Sequence, residues 1–142
     1  MAVYDRPVNA FVGSFIGNPP MNFLRGRLQR RGDRLQVALG DQSLDAPPAL
    51  ATAEGREVMV GIRAENIVVE GQATPGALPA RAEVVEPAGS HLLVTAALGE
   101  QRLKVLTRTD FPVAPESTLW LRPEAERLRW FDPETQAELG VS

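Results

Sequence analysis

Beyond Asn22, apolar and polar positions alternate with a period near two along most of the chain. Such alternation marks half-buried strands. Asn22 to Gln29 reads as a first strand, Arg31-Gly32-Asp33 as a turn, and Arg34 to Leu39 as the return, with Leu35, Val37 and Leu39 on one face. Further strands are expected at Glu57–Ile62, Ile67–Val69, Ala80–Glu86, His91–Leu98, Gln101–Leu106, Ser117–Leu121 and Leu128–Phe131. In Ala80–Glu86 the pattern sets Ala82, Val84 and Glu86 against Arg81, Glu83 and Val85, and Pro87 to Ser90 breaks it. Gly99-Glu100 is a two-residue turn between His91–Leu98 and Gln101–Leu106. Gly40–Glu54, Gly71–Pro79 and Thr107–Pro115 are rich in turn formers and read as connections.

The first stretch differs. Met1 to Leu24 is apolar without alternation. Phe11, Phe15 and Ile16 have helical spacing, so a short helix is expected over Val8–Ile16, with Asp5 as a cap and Pro7 in its first turn. Gly17-Asn18-Pro19-Pro20 stops it. The aromatic content of this stretch calls for a packing surface. Short strands at roughly ten-residue spacing, separated by Gly/Pro turns, give an all-β class, a sandwich or small barrel. The expected division is a linker and helical segment over 1–24 and a β domain over 22–142, with two lobes meeting near 71–79.

Composition changes this picture little. A chain of 142 residues with 44% hydrophobic and 23% charged residues is ordinary for a globular domain. There is no cysteine, which removes disulfides, thiolate metal sites and thiol nucleophiles. The formal charge is −3, and every basic residue but Lys104 is arginine. An acidic balance gives no general attraction to nucleic-acid phosphates. One basic cluster stands out, Arg25, Arg27, Arg30, Arg31 and Arg34, and reads as a solvated hairpin edge.

Candidate chemistry is sparse. His91 is the single histidine and cannot build a multi-histidine zinc site. No serine lies in a G-x-S-x-G elbow, and no G-x-x-x-x-G-K-[ST] loop is present to cradle nucleotide phosphates. No catalytic or metal-ligating residue is therefore assigned. The segment that stands out is Val60-Gly61-Ile62-Arg63-Ala64-Glu65-Asn66-Ile67, a strand running into a tight bend. Gly61 suggests close backbone approach, and Arg63 and Glu65 are near enough in sequence for a local ion pair.

Four segments, in order, resemble one family. RPVNAFVGSFIGNPPMNFL, Arg6 to Leu24, resembles the sequence that follows the ATPase core of sugar-type ABC importers. VGIRAENI, Val60 to Ile67, resembles that family's G-I-R-P-E-H-I segment. AEVVEPAGSHLLV, Ala82 to Val94, resembles E-V-V-E-x-L-G-x-E-x-x-V. LRPEAERLRWFDPET, Leu121 to Thr135, resembles the closing P-E-x-x-H-L-F-D-x-x-T-G element. The chain departs from the pattern in Ala64 for Pro, Asn66 for His, Pro87 for a Leu-like residue and Trp130 near a Leu. The resemblance is to the C-terminal regulatory domain, of the transport-associated OB (TOBE) type, of ATP-binding subunits of sugar and glycerol-phosphate importers.

That resemblance implies an OB-fold-like barrel or sandwich. It implies a regulatory, dimer-stabilising role and no catalysis by this chain, because the Walker and signature motifs would lie upstream. Met1 is expected to be an added start. ATP and Mg would belong to the full-length parent, and this stretch would take no cofactor. The expected partners are a second copy of the parent, membrane subunits reached through the ATPase core, and in some members a cytoplasmic regulator. Nucleic acid is not expected. The expected location is the cytoplasmic face of the cell membrane. Carried over position by position, the expected contact residues are Phe23, Gly55 and Gly61. The motif residues expected to be structural are Gly61, Arg63, Glu65, Glu86, Gly89, Phe131 and Asp132. A rival reading is an oxyanion- or small-ligand-sensing domain in which Arg63 or the arginine cluster supplies charge.

Overall fold

The computed structural model describes residues 21–140. The expected Val8–Ile16 helix and residues 1–20 of the expected linker segment lie outside them, while residues 21–24 belong to the first strand. Ten strands are present among the described residues: β1 Met21–Arg31, β2 Arg34–Leu39, β3 Gln42–Asp45, β4 Glu57–Arg63, β5 Ile67–Glu70, β6 Leu78–Ala88, β7 His91–Leu98, β8 Gln101–Arg108, β9 Thr118–Pro123 and β10 Arg129–Phe131. They form two five-stranded antiparallel sheets, ordered β10-β4-β1-β2-β3 and β5-β9-β6-β7-β8. The all-β, OB-fold-like expectation holds.

The β1–β2 hairpin is as read from the sequence, with Arg31 opposite Arg34 across the turn. Gly40–Glu54 is not a plain surface connection. Gly40-Asp41 turns the chain into β3, which pairs with β2 through Val37 and Leu44. A 3-10 helix over Pro48–Ala53 then buries Leu50 and Ala53. Pro48 opens that helix, where a missing N–H costs nothing.

Pro87 does not break β6, which runs on to Ala88. The reason is pairing: β9 covers β6 only from Leu78 to Arg81. Past that point β6 has a neighbour on one side only, and an edge tolerates a residue without an N–H. The face assignment in β6 is also corrected. The register slips between Ala82 and Val84, a β-bulge. One inserted residue reverses the alternation after it. Ala82 is buried, Val84 is 51% exposed, and Val85 instead packs on the core. Glu83, at the bulge, accepts from Arg102 at 3.0 and 3.1 Å and from Arg81 at 3.1 Å.

The chain passes between the sheets at two corners. At the first, β4 ends at Arg63, a 3-10 turn spans Ala64–Asn66, and β5 begins in the other sheet. At the second, β9 ends at Pro123, a turn spans Ala125–Arg127, and β10 begins in the first sheet. The corners lie side by side, for Glu124 donates its N–H to the Asn66 carbonyl at 3.0 Å and Ile67 pairs with Pro123. The VGIRAENI segment is thus a structural corner, with Ala64 fully buried at its bend. The loop over 71–77, by contrast, joins two strands of one sheet. A single hydrophobic cluster takes side chains from both sheets, among them Leu24, Leu28, Val37, Val60, Val94, Val105, Leu119 and Leu121.

The sheets also meet at a seam between β1 and β8. Beyond Arg27, toward its start, β1 has no backbone partner on the side where β2 lies. Gly26 marks the change of neighbour. A Cβ there would sit 2.3 Å from the Ala38 carbonyl oxygen and 2.7 Å from Val37 Cγ2. Only glycine fits so close an approach. Past it, the Asn22 side chain donates to the Lys104 carbonyl and accepts the Lys104 N–H, both at 2.7 Å. The Gln101 side chain does the same to Arg25, donating to its carbonyl and accepting its N–H, both at 2.8 Å.

Candidate interaction face

β1, β4 and β10 are apolar on both faces. Leu24, Leu28, Val58, Val60, Ile62 and Trp130 point into the shared core. Their neighbours Met21, Phe23, Met59 and Phe131 point the other way and form a second cluster. The outward face of an antiparallel sheet is commonly polar; here Met21, Met59 and Phe131 are buried, and Phe23 is the member of the cluster that reaches the surface.

Gly61 is the centre of this face. It lies opposite Phe23 on β1 and opposite Arg129 on β10. A Cβ on Gly61 would stand 2.7 Å from Met21 Sδ, 3.0 Å from Phe131 Cε2 and 3.3 Å from Phe23 Cε1. The missing side chain thus leaves the space into which the two rings settle. They meet edge to face with centroids 5.8 Å apart, the arrangement the ring quadrupoles favour. Phe131 is completely buried and Phe23 keeps part of its ring exposed. Charge flanks the cluster: Arg25 pairs with Glu57 at 3.6 Å and Arg129 with Glu138 at 3.7 Å.

The structure therefore brings together three of the residues singled out in the sequence, Phe23, Gly61 and Phe131. Arg63 is adjacent, buried at the end of β4 opposite Met21, while Glu65 is exposed on the corner turn. Gly55 is placed apart, in the turn before β4 with φ of +86°. Its N–H is donated to the Leu28 carbonyl at 2.7 Å, and its carbonyl accepts from Arg27 Nη1 at 2.6 Å. Glu86 and Gly89 lie on the exposed β6–β7 hairpin of the other sheet, Gly89 in its turn with φ of +64°.

Asp132 organises the segment after β10. Its Oδ1 accepts the N–H groups of Glu134 at 2.8 Å and Thr135 at 3.0 Å, and its Oδ2 accepts from Arg56 at 2.9 Å. The Thr135 and Glu134 N–H groups, followed by the Arg56 guanidinium, hold the carboxyl below its ordinary value. The F-D-P-E-T element is thus a side-chain-capped turn that fixes the end of β10.

Most of the hairpin arginines are neutralised. Arg30 pairs with Glu54 at 3.1 Å, Arg34 with Asp45, and Arg25 with Glu57. A groove of about 510 Å³ is lined by Leu50, Leu128, Trp130, Leu139, Asp45 and Glu138. His91 contacts Ser90 Oγ at 3.0 Å on the exposed hairpin. Among the described residues no group of three or more His, Cys, Asp or Glu comes together, and no helix is long and apolar enough to cross a membrane.

Residues 60–131 match the family model of the TOBE domain. This chain belongs to the TOBE domain family. Residues 17–67 match the MalK OB fold domain, so the two family models meet across the Val60–Ile67 corner. Curated relatives include the sn-glycerol-3-phosphate import ATP-binding proteins UgpC of Salmonella typhi, 36% identical over 133 residues, and of Shigella boydii, 38% identical over 134 residues. Each alignment takes in 94% of this chain and 37% of the relative, so the chain spans little more than a third of those proteins. Among solved structures, the cytoplasmic molybdate-binding protein ModG superposes with a TM-score of 0.62 at 16% identity, covering 79% of this chain and 96% of that one. That likeness is one of fold.

Residues that sequence reasoning passed over are Asn22, Gly26 and Met59. Asn22 carried the clearest signal, a polar residue inside the apolar run Met21–Leu24. The TOBE assignment does not explain it, but the β1–β8 seam does.

Proposed function

We propose that this chain is the regulatory and dimer-stabilising domain of the ATP-binding subunit of an ABC importer for glycerol phosphate, a sugar or a related solute. The observation that carries this reading is the alignment with import ATP-binding proteins over 94% of the chain. In this reading the chain is not itself the enzyme. ATP and Mg belong to the ATPase core of the full-length subunit. The partners are a second subunit, bound in part through Phe23, Gly55 and Gly61, and membrane subunits reached through the core. The protein works at the inner face of the membrane.

The test is a chimera in which this chain replaces the matching segment of a glycerol-phosphate import ATP-binding subunit. The expected result is restored uptake in cells lacking the native subunit. A chimera that is soluble and hydrolyses ATP but supports no uptake sinks the reading. The contact assignment has its own test. The chain has no cysteine, so Phe23→Cys in a cysteine-free chimera gives a unique thiol. Oxidation should link paired subunits through position 23 and leave a Glu86→Cys variant unlinked.

A second reading, oxyanion sensing, draws on the molybdate-bound form of ModG. Against it, Arg25, Arg30 and Arg34 of the arginine cluster are each paired with a carboxylate. Calorimetric titration with molybdate, sulfate and glycerol phosphate separates the readings, and heat at micromolar ligand would favour the second.

A further inference from the structure

The β1–β8 seam differs in kind from every strand pairing that builds the two sheets. In those, backbone bonds to backbone. At the seam, two side-chain amides each satisfy both polar groups of one opposing residue, Asn22 on Lys104 and Gln101 on Arg25. Each carboxamide stands in for a peptide group, so Arg25 on one edge and Lys104 on the other are satisfied without a ladder. The two rungs are unequal in setting. Asn22 is 9% exposed, whereas the Gln101–Arg25 rung is open to solvent. Opening the seam breaks these four side-chain hydrogen bonds and loosens the shared core beneath them, with no ladder bond lost. Water can replace the outer two directly.

We propose that Asn22 and Gln101 form a latch, and that the seam between β1 and β8 opens as one unit while both sheets stay intact. When closed, the latch ties the strand that carries Phe23 to the edge of the second sheet. When open, it frees β1 to shift with its own sheet and uncovers the Lys104 edge of β8. The latch therefore links the position of the first strand, and of whatever chain precedes it, to the accessibility of an edge in the other sheet. This inference stands apart from the transporter reading, since it rests on the seam alone.

The test is amide hydrogen exchange by NMR on this chain and three variants. Removing one rung should deprotect the other. Gln101→Ala should speed exchange at Lys104, and Asn22→Ala at Arg25, by about tenfold or more, with core-ladder amides such as Val37 and Val60 unchanged. Cross-effects that are absent, so that each variant alters only its direct partner, overturn the latch. So does an equal loss at Val37 and Val60, which makes the seam part of global unfolding. Asn22→Asp supplies a second readout and guards against an alanine variant that fails to fold. A carboxylate accepts the Lys104 N–H but cannot donate to its carbonyl, while the protonated acid does both. Arg25 protection in Asn22→Asp should therefore be low at neutral pH and recover on acidification. A flat profile overturns the assignment.

Discussion

At the scale of single residues, two glycines are held in place by sterics. The Cβ missing from Gly26 would strike a backbone carbonyl at 2.3 Å, and the one missing from Gly61 would strike a flexible thioether at 2.7 Å and a buried ring at 3.0 Å. Backbone cannot yield as a methionine can. Gly26→Ala should therefore cost more than Gly61→Ala, which should lose about 1–3 kcal/mol by overpacking. Urea midpoints of the two variants check the order. Asp132 makes a prediction in pH. Its folded carboxyl titrates below the ordinary 3.8, because the Thr135 and Glu134 N–H groups favour the ionised form. A lowered carboxyl contributes its stability in full above the unfolded value and loses it as pH falls through the folded one. Asp132→Asn should thus be less stable than the parent at about pH 7, with the difference closing below about pH 4. Thermal melts across that range read it out.

At the scale of elements, strand positions were legible because alternation was unbroken, as in Leu35, Val37 and Leu39. What escaped was pairing that alternation does not encode. Leu44 and Leu50 lie among Gly, Pro and Ala, too thinly spaced to announce a strand and a 3-10 helix. They are buried because β2 offers an edge and the sandwich offers an open end. The Glu83 bulge is invisible for a related reason: one extra residue shifts every face after it, and only the partner strand shows where the shift falls. Leu50→Ala should cost about 2–5 kcal/mol, like a residue in a central strand. Chemical denaturation should give that loss, whereas a true surface connection would give almost none. Of the candidate face, Gly61, Phe23 and Phe131 were each legible singly. Their meeting was not, because it depends on β10 returning to β4 from the far end of the chain.

At the scale of the molecule, one core serves both sheets, so the two should unfold together. The two tryptophans allow a direct check. Trp120 lies on β9 in one sheet and Trp130 on β10 in the other. Trp120→Phe leaves fluorescence reporting the first sheet, and Trp130→Phe leaves it reporting the second. In each variant the fluorescence and far-ultraviolet dichroism transitions should superimpose. A two-step transition seen by one tryptophan alone would mean that the sheets are separate cooperative units, despite the corners that tie them.

The paired corners also fix the order in which the molecule can be completed during synthesis. β9 is the strand that lets β5 join β6, and β10 covers the free side of β4. Both are made after β5 to β8. Until β9 has left the ribosome β5 has no strand neighbour, and until residue 131 has followed, β4 shows a bare edge and Gly61 lacks the ring that fills the space above it. A nascent chain halted short of that point is an unclosed sheet with exposed apolar surface, the kind of species that chaperones capture. Of the strands described, β10 is the last to be made, and closure of the two sheets belongs to it.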